Sequence, residues 1–147
     1  MSMTHFTTTI TVDQSPQEVF DAINNVRGWW QGTIEGDTIK QGDEFDYRMK
    51  DLHYSRQRVL ESVPGERLVW LVTDSKLPSF DNDNEWTGTK IIFEITEEAG
   101  QTQLRFTHEG LTPSFACYGA CSGAWGALVR ESLYSLISTG KGRNVFG

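Results

Sequence analysis

Apolar and polar residues alternate in short segments along most of the chain. Near the N-terminus Phe6, Ile10 and Val12 stand among threonines, which is the period-two pattern of a half-buried strand. A similar, mostly alternating pattern recurs in five later segments that turn residues separate: DEFDYRMK, YSRQRVLESV, ERLVWLVT, GTKIIFEITE and TQLRFTHEG. The pattern predicts a meander of antiparallel strands.

Two segments follow a helical spacing instead. In SPQEVFDAINNV, Ser15 precedes Pro16 and lies three residues before Glu18, which predicts a helix with a capped first turn. From Phe115 to residue 139 apolar residues recur every three or four positions, and Gly140 stands where a helix usually ends. The order of a strand, a short helix, several strands and a long final helix predicts an α+β fold, with that helix across one face of the sheet.

Composition and charge narrow the class of protein. The 147 residues, of which 37% are hydrophobic, suffice for one core, and we expect a single domain over 1–147. The net charge is -7 and lysine and arginine do not cluster, so we expect no nucleic-acid partner. The first residues lack a signal-peptide pattern, and no apolar run approaches the roughly 18 residues of a membrane span. We therefore expect a cytoplasmic protein without a membrane span.

The cysteines and histidines show no metal-ligating pattern. Cys117 and Cys121 are four residues apart, and His5, His53 and His108 are scattered along the chain. We interpret the cysteines as two small core-facing thiols in a reduced compartment. We expect no cofactor and no stoichiometric zinc or calcium in the purified protein, and elemental analysis that finds one metal ion per chain would contradict this.

The order of several weak motifs resembles that of one protein family. The motifs are SPQEVFDAINNVRGWW after the opening strand, then GDEFDYR, VPGERLVWLV, GTKIIFEITEEAGQTQLRFTHEGL and GAWGALVRESLYSLI. Together they resemble the bacterial homologues of the activator of the ninety-kilodalton heat-shock chaperone ATPase, within the START or Bet v 1-like (SRPBCC) superfamily. The resemblance covers nearly the whole chain. It implies a helix-grip fold, in which a curved antiparallel sheet wraps around the long C-terminal helix and leaves an elongated cavity between them.

Strand and helix periodicity predicts which side chains face such a cavity. Residues two apart on a strand share a face, as do residues three or four apart on a helix. The predicted ligand-binding residues are mostly aromatic and are Phe45, Tyr47, Met49, Trp70, Trp86, Phe93, Phe106, His108, Tyr118, Cys121 and Trp125. Of the neighbouring Trp29 and Trp30, we expect one to cap the cavity mouth and the other to close the core.

His108 allows two interpretations. It continues the inward-facing row of its strand, so it could serve as a polar contact or proton carrier at the end of the cavity. Alternatively, it bonds to a nearby backbone group where the last strand meets the loop to the helix. The second interpretation is favoured because Glu109, the nearest candidate base, points to the other face of the strand.

The final helix carries Gly119, Gly123 and Gly126 along one flank, although interior glycine disfavours a helix. A flank without side chains could permit the close approach of another backbone or leave room for a ligand. The alternative is that the glycines only admit bulky aromatic neighbours. On the ligand hypothesis, Gly123→Leu would weaken the binding of an apolar probe.

The segment DSKLPSFDNDNEW places Asp81, Asp83 and Glu85 at alternate positions, as in a calcium-binding loop. It departs from the EF-hand pattern, because Trp86 stands where a sharp-turn glycine is needed and Ile92 where the bidentate glutamate belongs. We expect a solvated, mobile loop, and we hypothesise that Trp86 folds over the cavity opening.

Three functions remain open at the level of sequence. The sequence contains no nucleophile elbow, phosphate-binding glycine loop, dinucleotide fingerprint or zinc-protease motif, so no catalytic residue is assigned. The first hypothesis is the binding of a small hydrophobic or aromatic molecule in the cavity. The second is a protein-interaction module associated with a chaperone or another protein, as the family name implies. The third is an enzyme acting on an aromatic or polyketide-like substrate, with His108 and either Tyr47 or Tyr118 as acid–base groups.

Overall fold

A computed structural model describes residues 5–30, 32–50, 53–78, 84–115 and 117–144 of the chain. In this part of the chain, seven antiparallel strands form one curved sheet. The strands are β1 (Phe6–Val12), β2 (Thr33–Gly36), β3 (Glu44–Met49), β4 (His53–Val63), β5 (Arg67–Lys76), β6 (Lys90–Glu98) and β7 (Gln101–Glu109). Their order across the sheet is β1-β7-β6-β5-β4-β3-β2, so β1 and β2 form the two edges. The predicted α+β helix-grip fold is confirmed.

The helices pack on the concave face of the sheet and enclose one hydrophobic core. They are α1 (Pro16–Asn24), α2 (Val26–Trp29), α3 (Tyr118–Ala127) and α4 (Tyr134–Thr139), and a π-helical segment (Leu128–Leu133) joins α3 to α4. We call α3, the π segment and α4 together the C-terminal helix. No helix in the described ranges is long and apolar enough to cross a membrane.

The start of α1 forms the capping box that the sequence predicts. The Ser15 hydroxyl accepts a hydrogen bond from the Glu18 amide at 3.2 Å, and the Glu18 carboxylate accepts one from the Ser15 amide at 3.4 Å. Both bonds satisfy amide groups that a helix start would otherwise leave unpaired. Val19, Phe20 and Ile23 form the buried face of the helix. A local sequence signal thus fixes where this helix begins.

Two irregularities in the pairing of β4 with β5 accompany the curvature of the sheet. Arg56 pairs with Asp74 but Gln57 pairs with Val72, so β5 carries one extra residue, Thr73. A second shift leaves Leu60 as the extra residue of β4. Such bulges bend a strand and exchange the faces to which its later side chains point. This stretch of the sheet therefore bends around the core, and the inward-facing row of β5 changes parity within the strand.

The C-terminal helix departs from an ideal wheel after Ala127. The sequence places Tyr118, Cys121, Trp125, Val129 and Leu136 at the centre of its inward face. The structure buries Cys121, Trp125 and Val129 and leaves Tyr118 and Leu136 half-buried. The inward stripe continues instead through the following buried residues: Leu128, Ser132, Leu133 and Ile137. A π turn holds more residues than an α turn, so the stripe shifts by about one position.

The predicted helix end is confirmed, since Gly140 adopts a left-handed φ of 86°.

The glycine flank of the C-terminal helix faces open space. Gly119 and Gly123 are exposed, Gly126 is half-buried, and a Cβ atom built on any of them would meet no atom within 4 Å. No backbone from outside the helix approaches this flank, so the interpretation of a close backbone approach there is wrong. That the glycines admit their bulky aromatic neighbours stays a prediction. The close backbone approach occurs at Gly142 instead, where a Cβ atom would collide with the carbonyl oxygen of Gly28.

A disulfide joins Cys117 to Cys121. The interpretation of these residues as free thiols is therefore wrong. Cys117 is the N-cap of α3, and its carbonyl accepts a hydrogen bond of 2.7 Å from the Cys121 amide one turn later. The two Cα atoms lie 5.5 Å apart, within the range that a disulfide spans. The spacing of four residues brings both side chains to the same side of the first helical turn.

Candidate functional site

A cavity of about 340 Å³ lies between the C-terminal helix and the β3–β4 end of the sheet. Aromatic rings form much of its wall, and these are Trp30, Tyr47, His53, Trp86 and Trp125. The other residues of the wall are mostly small or aliphatic, and they are Met49, Lys50, Leu77, Ala120, Cys121, Ala124 and Leu128. The wall thus takes side chains from the sheet, from the C-terminal helix and from the segments after α2 and before β6.

The aromatic side chains of the wall contact one another in sequence. The ring of Trp30 packs edge-on against Tyr47 and Trp125, with ring centroids 4.7 and 5.5 Å apart. Trp86 stacks on Trp125 at 5.6 Å with an angle of 15° between the rings, and it packs edge-on against His53 at 4.7 Å. These contacts fix the rings of the wall relative to one another.

The backbone after α2 positions Trp30. The Trp30 amide donates to the Val26 carbonyl at 2.9 Å, and the buried Ser132 hydroxyl of the π segment donates to the Trp29 carbonyl at 2.8 Å. The indole of Trp29 turns into the core and donates to the Ile23 carbonyl at 3.2 Å. The structure thus separates the two neighbouring tryptophans, with Trp29 in the core and Trp30 on the cavity wall.

His108 lies behind the wall and holds two of its members. Its Nδ1 accepts a hydrogen bond of 3.0 Å from the indole Nε1–H of Trp125. Its Nε2 lies 2.8 Å from the Thr89 hydroxyl, which itself donates to the Trp86 carbonyl at 2.5 Å. Because that hydroxyl has one proton, it accepts from His108, and the imidazole is the neutral tautomer protonated on Nε2.

Burial keeps His108 neutral. The side chain is fully buried, and this desolvation, with a smaller effect from His53, lowers its pKa to about 3. Both ring nitrogens already have partners in the neutral form. His108 is therefore a structural residue that orients Trp125, and the geometry gives no support to the interpretation of this residue as a proton carrier. Its partners are side chains, where the sequence led us to expect a backbone group.

Two further polar groups lie in the wall, Tyr47 and His53. The Tyr47 hydroxyl donates to the Met49 sulfur at 3.4 Å, and burial raises its pKa to about 12. His53 Nε2 lies 3.0 Å from the Ser55 hydroxyl, and burial lowers the pKa of this histidine to about 4. Both side chains are uncharged at pH 7.

Five of the predicted ligand-binding residues line the cavity, and these are Tyr47, Met49, Trp86, Cys121 and Trp125. The others are not part of its wall. Five of them fill the core behind it, and these are Phe45, Trp70, Phe93, Phe106 and His108. Tyr118 is half-buried and packs against the edge of that core. A role of any of these residues in binding stays a prediction.

The sequence did not single out several residues of the wall as ligand-binding. Strand parity is the signal that could have identified His53, because this residue lies on the same face of β4 as the buried Ser55 and Gln57. This inward-facing row was not predicted because its residues are polar, so this part of β4 shows no alternation of apolar and polar residues. Lys50 and Leu77 follow the ends of β3 and β5, where periodicity gives no signal. Ala120 and Ala124 are small residues next to the predicted Cys121 and Trp125.

No acidic residue is among the described residues that line the cavity. Among the described residues, no three or more histidine, cysteine or acidic side chains could together hold a metal ion. Asp81 and Asp83 of the acidic segment lie outside the described residues, as do residues 79, 80 and 82 of the loop predicted there. Trp86, which the sequence placed over the opening, is 5% exposed and forms part of the wall.

The fold and the cavity define a helix-grip protein with a cavity lined largely by aromatic side chains. The chain belongs to the family of Activator of Hsp90 ATPase homolog 1-like proteins, whose model matches residues 13–138. The resemblance seen in the sequence is thereby confirmed.

Solved structures of low sequence identity share the fold. The solution structure of the Aha1 dimer from Colwellia psychrerythraea has a TM-score of 0.77 at 23% identity, over 95% of this chain and 100% of that one. DynU16, a putative protein in the dynemicin biosynthetic locus, has a TM-score of 0.68 at 18% identity, over 94% of this chain and 48% of that one. CalU16 from Micromonospora echinospora has a TM-score of 0.64 at 17% identity, over 91% of this chain and 76% of that one. Comparison with curated protein sequences finds no significant match.

Proposed function

We propose that the protein binds a small hydrophobic or aromatic molecule in the cavity between the sheet and the C-terminal helix. The observation that carries the proposal is the cavity itself, about 340 Å³ in volume and walled by Trp30, Tyr47, Trp86 and Trp125. Ligand cavities in proteins start at roughly 300 Å³ and are lined mainly by apolar and aromatic side chains with a few polar groups.

The other two functions have less support. A chaperone partner is suggested by the family, but an interaction module should expose a contiguous apolar patch. The large hydrophobic side chains exposed in the described part of the chain are Ile39, between β2 and β3, and Tyr134, at the start of α4. An enzyme would need groups that exchange protons near neutral pH, whereas burial raises the pKa of Tyr47 to about 12 and lowers that of His53 to about 4.

The cellular location stays a proposal as well. We propose a cytoplasmic protein, as the sequence led us to expect. The Cys117–Cys121 disulfide removes one argument for this location, which was the presence of two reduced thiols.

Filling the cavity tests ligand binding. Ala124 lines the cavity and lies next to Gly123, which faces open space on the same helix. Ala124→Leu is expected to weaken the binding of the apolar fluorescent probe N-phenyl-1-naphthylamine at least about tenfold, or about 1.4 kcal/mol. Fluorescence titration of the folded protein measures the dissociation constant.

Gly123→Leu is the matched control. It adds the same side chain one residue away, and it should leave the affinity for the probe unchanged while stabilising the helix by about 0.5 to 1 kcal/mol. This replaces the expectation drawn from the sequence, in which Gly123→Leu weakened binding. A native protein that does not bind the probe, or an Ala124→Leu variant that binds it as tightly, would refute ligand binding in this cavity.

A further inference from the structure

Two histidines lie at the cavity, and they differ in how many of their ring nitrogens have partners. His108, behind the wall, pairs both nitrogens, one with Trp125 and the other with Thr89. His53, which lines the cavity, pairs only Nε2, and this atom lies 3.0 Å from the Ser55 hydroxyl. No group of the described residues pairs with Nδ1 of His53. The cavity wall thus contains a histidine with one nitrogen left for another molecule.

Nδ1 of His53 remains accessible, unlike the other unpaired polar atoms around the core. The unpaired side-chain atoms that the described part of the protein shields from solvent are Asn24 Oδ1, Gln57 Oε1 and the indole nitrogens of Trp30, Trp70 and Trp86. Nδ1 of His53 is not one of them, and the residue as a whole is half-buried. Its ring packs against Tyr47 and Trp86, with centroids 5.2 and 4.7 Å away, so its accessible surface lies on the cavity. A ligand there can contact this nitrogen.

Ser55 and Gln57 set which nitrogen of His53 carries the proton. The Ser55 hydroxyl accepts a hydrogen bond of 2.5 Å from Nε2 of Gln57, and both residues are fully buried. The proton of this hydroxyl has one acceptor among the described residues, which is Nε2 of His53. Burial keeps His53 uncharged at pH 7, with a pKa lowered to about 4, so its single ring proton lies on Nδ1. His53 therefore presents an N–H donor to the cavity.

The opposite orientation of the Gln57 amide is disfavoured. In that orientation Ser55 would donate to Gln57 and accept from His53, and Nδ1 of His53 would become an acceptor. The amide nitrogen, with two protons, would then take the buried position in which Oε1 now lies without a partner. Unpaired buried N–H groups are rarer than unpaired carbonyl oxygens. The hydrogen bonds thus run from Gln57 through Ser55 to His53 and on toward the cavity.

A donor on an otherwise apolar wall selects among ligands. A ligand that displaces water from Nδ1 and offers no acceptor leaves this N–H unpaired, which lowers its affinity. A ligand that offers an acceptor oxygen at the same place restores the hydrogen bond. A ligand that donates there would force the proton of His53 onto Nε2 and leave the buried Ser55 hydroxyl without an acceptor.

We infer that His53 determines the specificity of the cavity by donating a hydrogen bond from Nδ1 to an acceptor oxygen of the ligand. The ligand class is then an aromatic molecule with an acceptor oxygen beside the ring, as in an aryl ketone. Ser55 is a positioning residue, because it acts on the ligand through His53. This inference rests on the proposed ligand binding and specifies the chemistry of the ligand.

A matched pair of naphthalenes tests the inference. 2-Acetylnaphthalene carries a carbonyl oxygen where 2-isopropenylnaphthalene carries a methylene group, and the two molecules have nearly the same shape. Competition with N-phenyl-1-naphthylamine, followed by fluorescence, gives both dissociation constants. We expect His53→Phe, which keeps a ring but removes the donor, to raise the ratio of the ketone constant to the alkene constant about fivefold. Tyr54→Phe removes a hydroxyl from the other face of the same strand and should leave this ratio unchanged.

Ser55→Ala tests the direction of the hydrogen bonds. Without the Ser55 hydroxyl, the imidazole of His53 can hold its proton on either nitrogen and accepts a donating ligand as well. Carbazole has a ring N–H where fluorene has a methylene group. We expect the ratio of the carbazole constant to the fluorene constant to fall about threefold in Ser55→Ala, whereas a purely structural effect would change both constants alike. Thermal melts show that each variant is folded at the temperature of the titration.

The possible results separate this inference from the proposed function. If the naphthalenes bind but His53→Phe leaves the ketone-to-alkene ratio unchanged, His53 does not select the ligand, and the cavity remains a ligand site. Native protein that binds carbazole more tightly than fluorene would show that Nδ1 accepts, which also overturns the inference. If neither N-phenyl-1-naphthylamine nor any of these molecules binds the native protein, both the inference and the proposed function fail.

Discussion

Replacing Trp125 by alanine is expected to lower the free energy of unfolding by about 3 to 5 kcal/mol, the range for large aromatic side chains lost from a core. Trp125 is 2% exposed, and its ring centroid lies 4.7 Å from that of Phe106 and 5.6 Å from that of Trp86. The truncation removes these contacts. It also leaves Nδ1 of the buried His108 without its donor, which adds to the cost. Urea unfolding measures the change.

Tyr134→Ala provides the control for this experiment. Tyr134 begins α4 of the same C-terminal helix but is 42% exposed, so its truncation should cost less than about 0.5 kcal/mol. A loss below about 1 kcal/mol for Trp125→Ala would contradict the packing of Trp125 in the core.

The protein is expected to lose stability as the pH falls from 7 to 5, and His108 should account for about 2 kcal/mol of the loss. The pKa of His108 is lowered from its ordinary value of 6.5 to about 3 in the folded protein. Above pH 6.5 the imidazole is mostly neutral in both the folded and the unfolded protein, so protonation of His108 takes little from the free energy of unfolding. Below that pH only the unfolded chain takes up the proton, and the free energy of unfolding falls by about 1.4 kcal/mol per pH unit. The loss continues until the pH reaches the folded pKa.

His108→Gln isolates this contribution. Glutamine does not titrate, and its amide offers one acceptor for the Trp125 indole and a donor for the Thr89 hydroxyl. Urea unfolding at several pH values should give the variant a loss between pH 7 and 5 that is smaller by about 2 kcal/mol. His53, whose pKa is lowered to about 4, contributes a loss of the same sign in both proteins. Parallel curves for the two proteins would contradict the buried neutral His108.

Local signals in the sequence sufficed for most of the elements. The capping box at Ser15 and Glu18 marks the start of α1 because the residues that form it are three positions apart. Gly140 marks the end of the C-terminal helix because its left-handed backbone is unfavourable for other residues. The alternation in β6 and β7 predicts their pairing, in which Phe93 faces Phe106.

The candidate site could be predicted only in part. Periodicity identified inward-facing residues correctly, yet it gave the same weight to Tyr47 and Phe45, of which only Tyr47 lines the cavity. Both point inward from β3. Position along the strand decides between core and cavity wall, and that depends on how far the C-terminal helix covers the sheet.

The sequence by itself determined the order of elements, the α+β class and the aromatic character of the inward faces, because these follow from spacings of a few residues. Only the tertiary structure decided which rings enclose the cavity, where His108 finds its partners, and that the glycine flank faces open space. The bulge at Thr73 shows the physical reason, since one extra residue in β5 moves the inward row from Trp70 and Val72 to Ser75, and Leu77 beyond it reaches the cavity wall. The bulge depends on how β5 pairs with β4, and the alternation within β5 does not predict it.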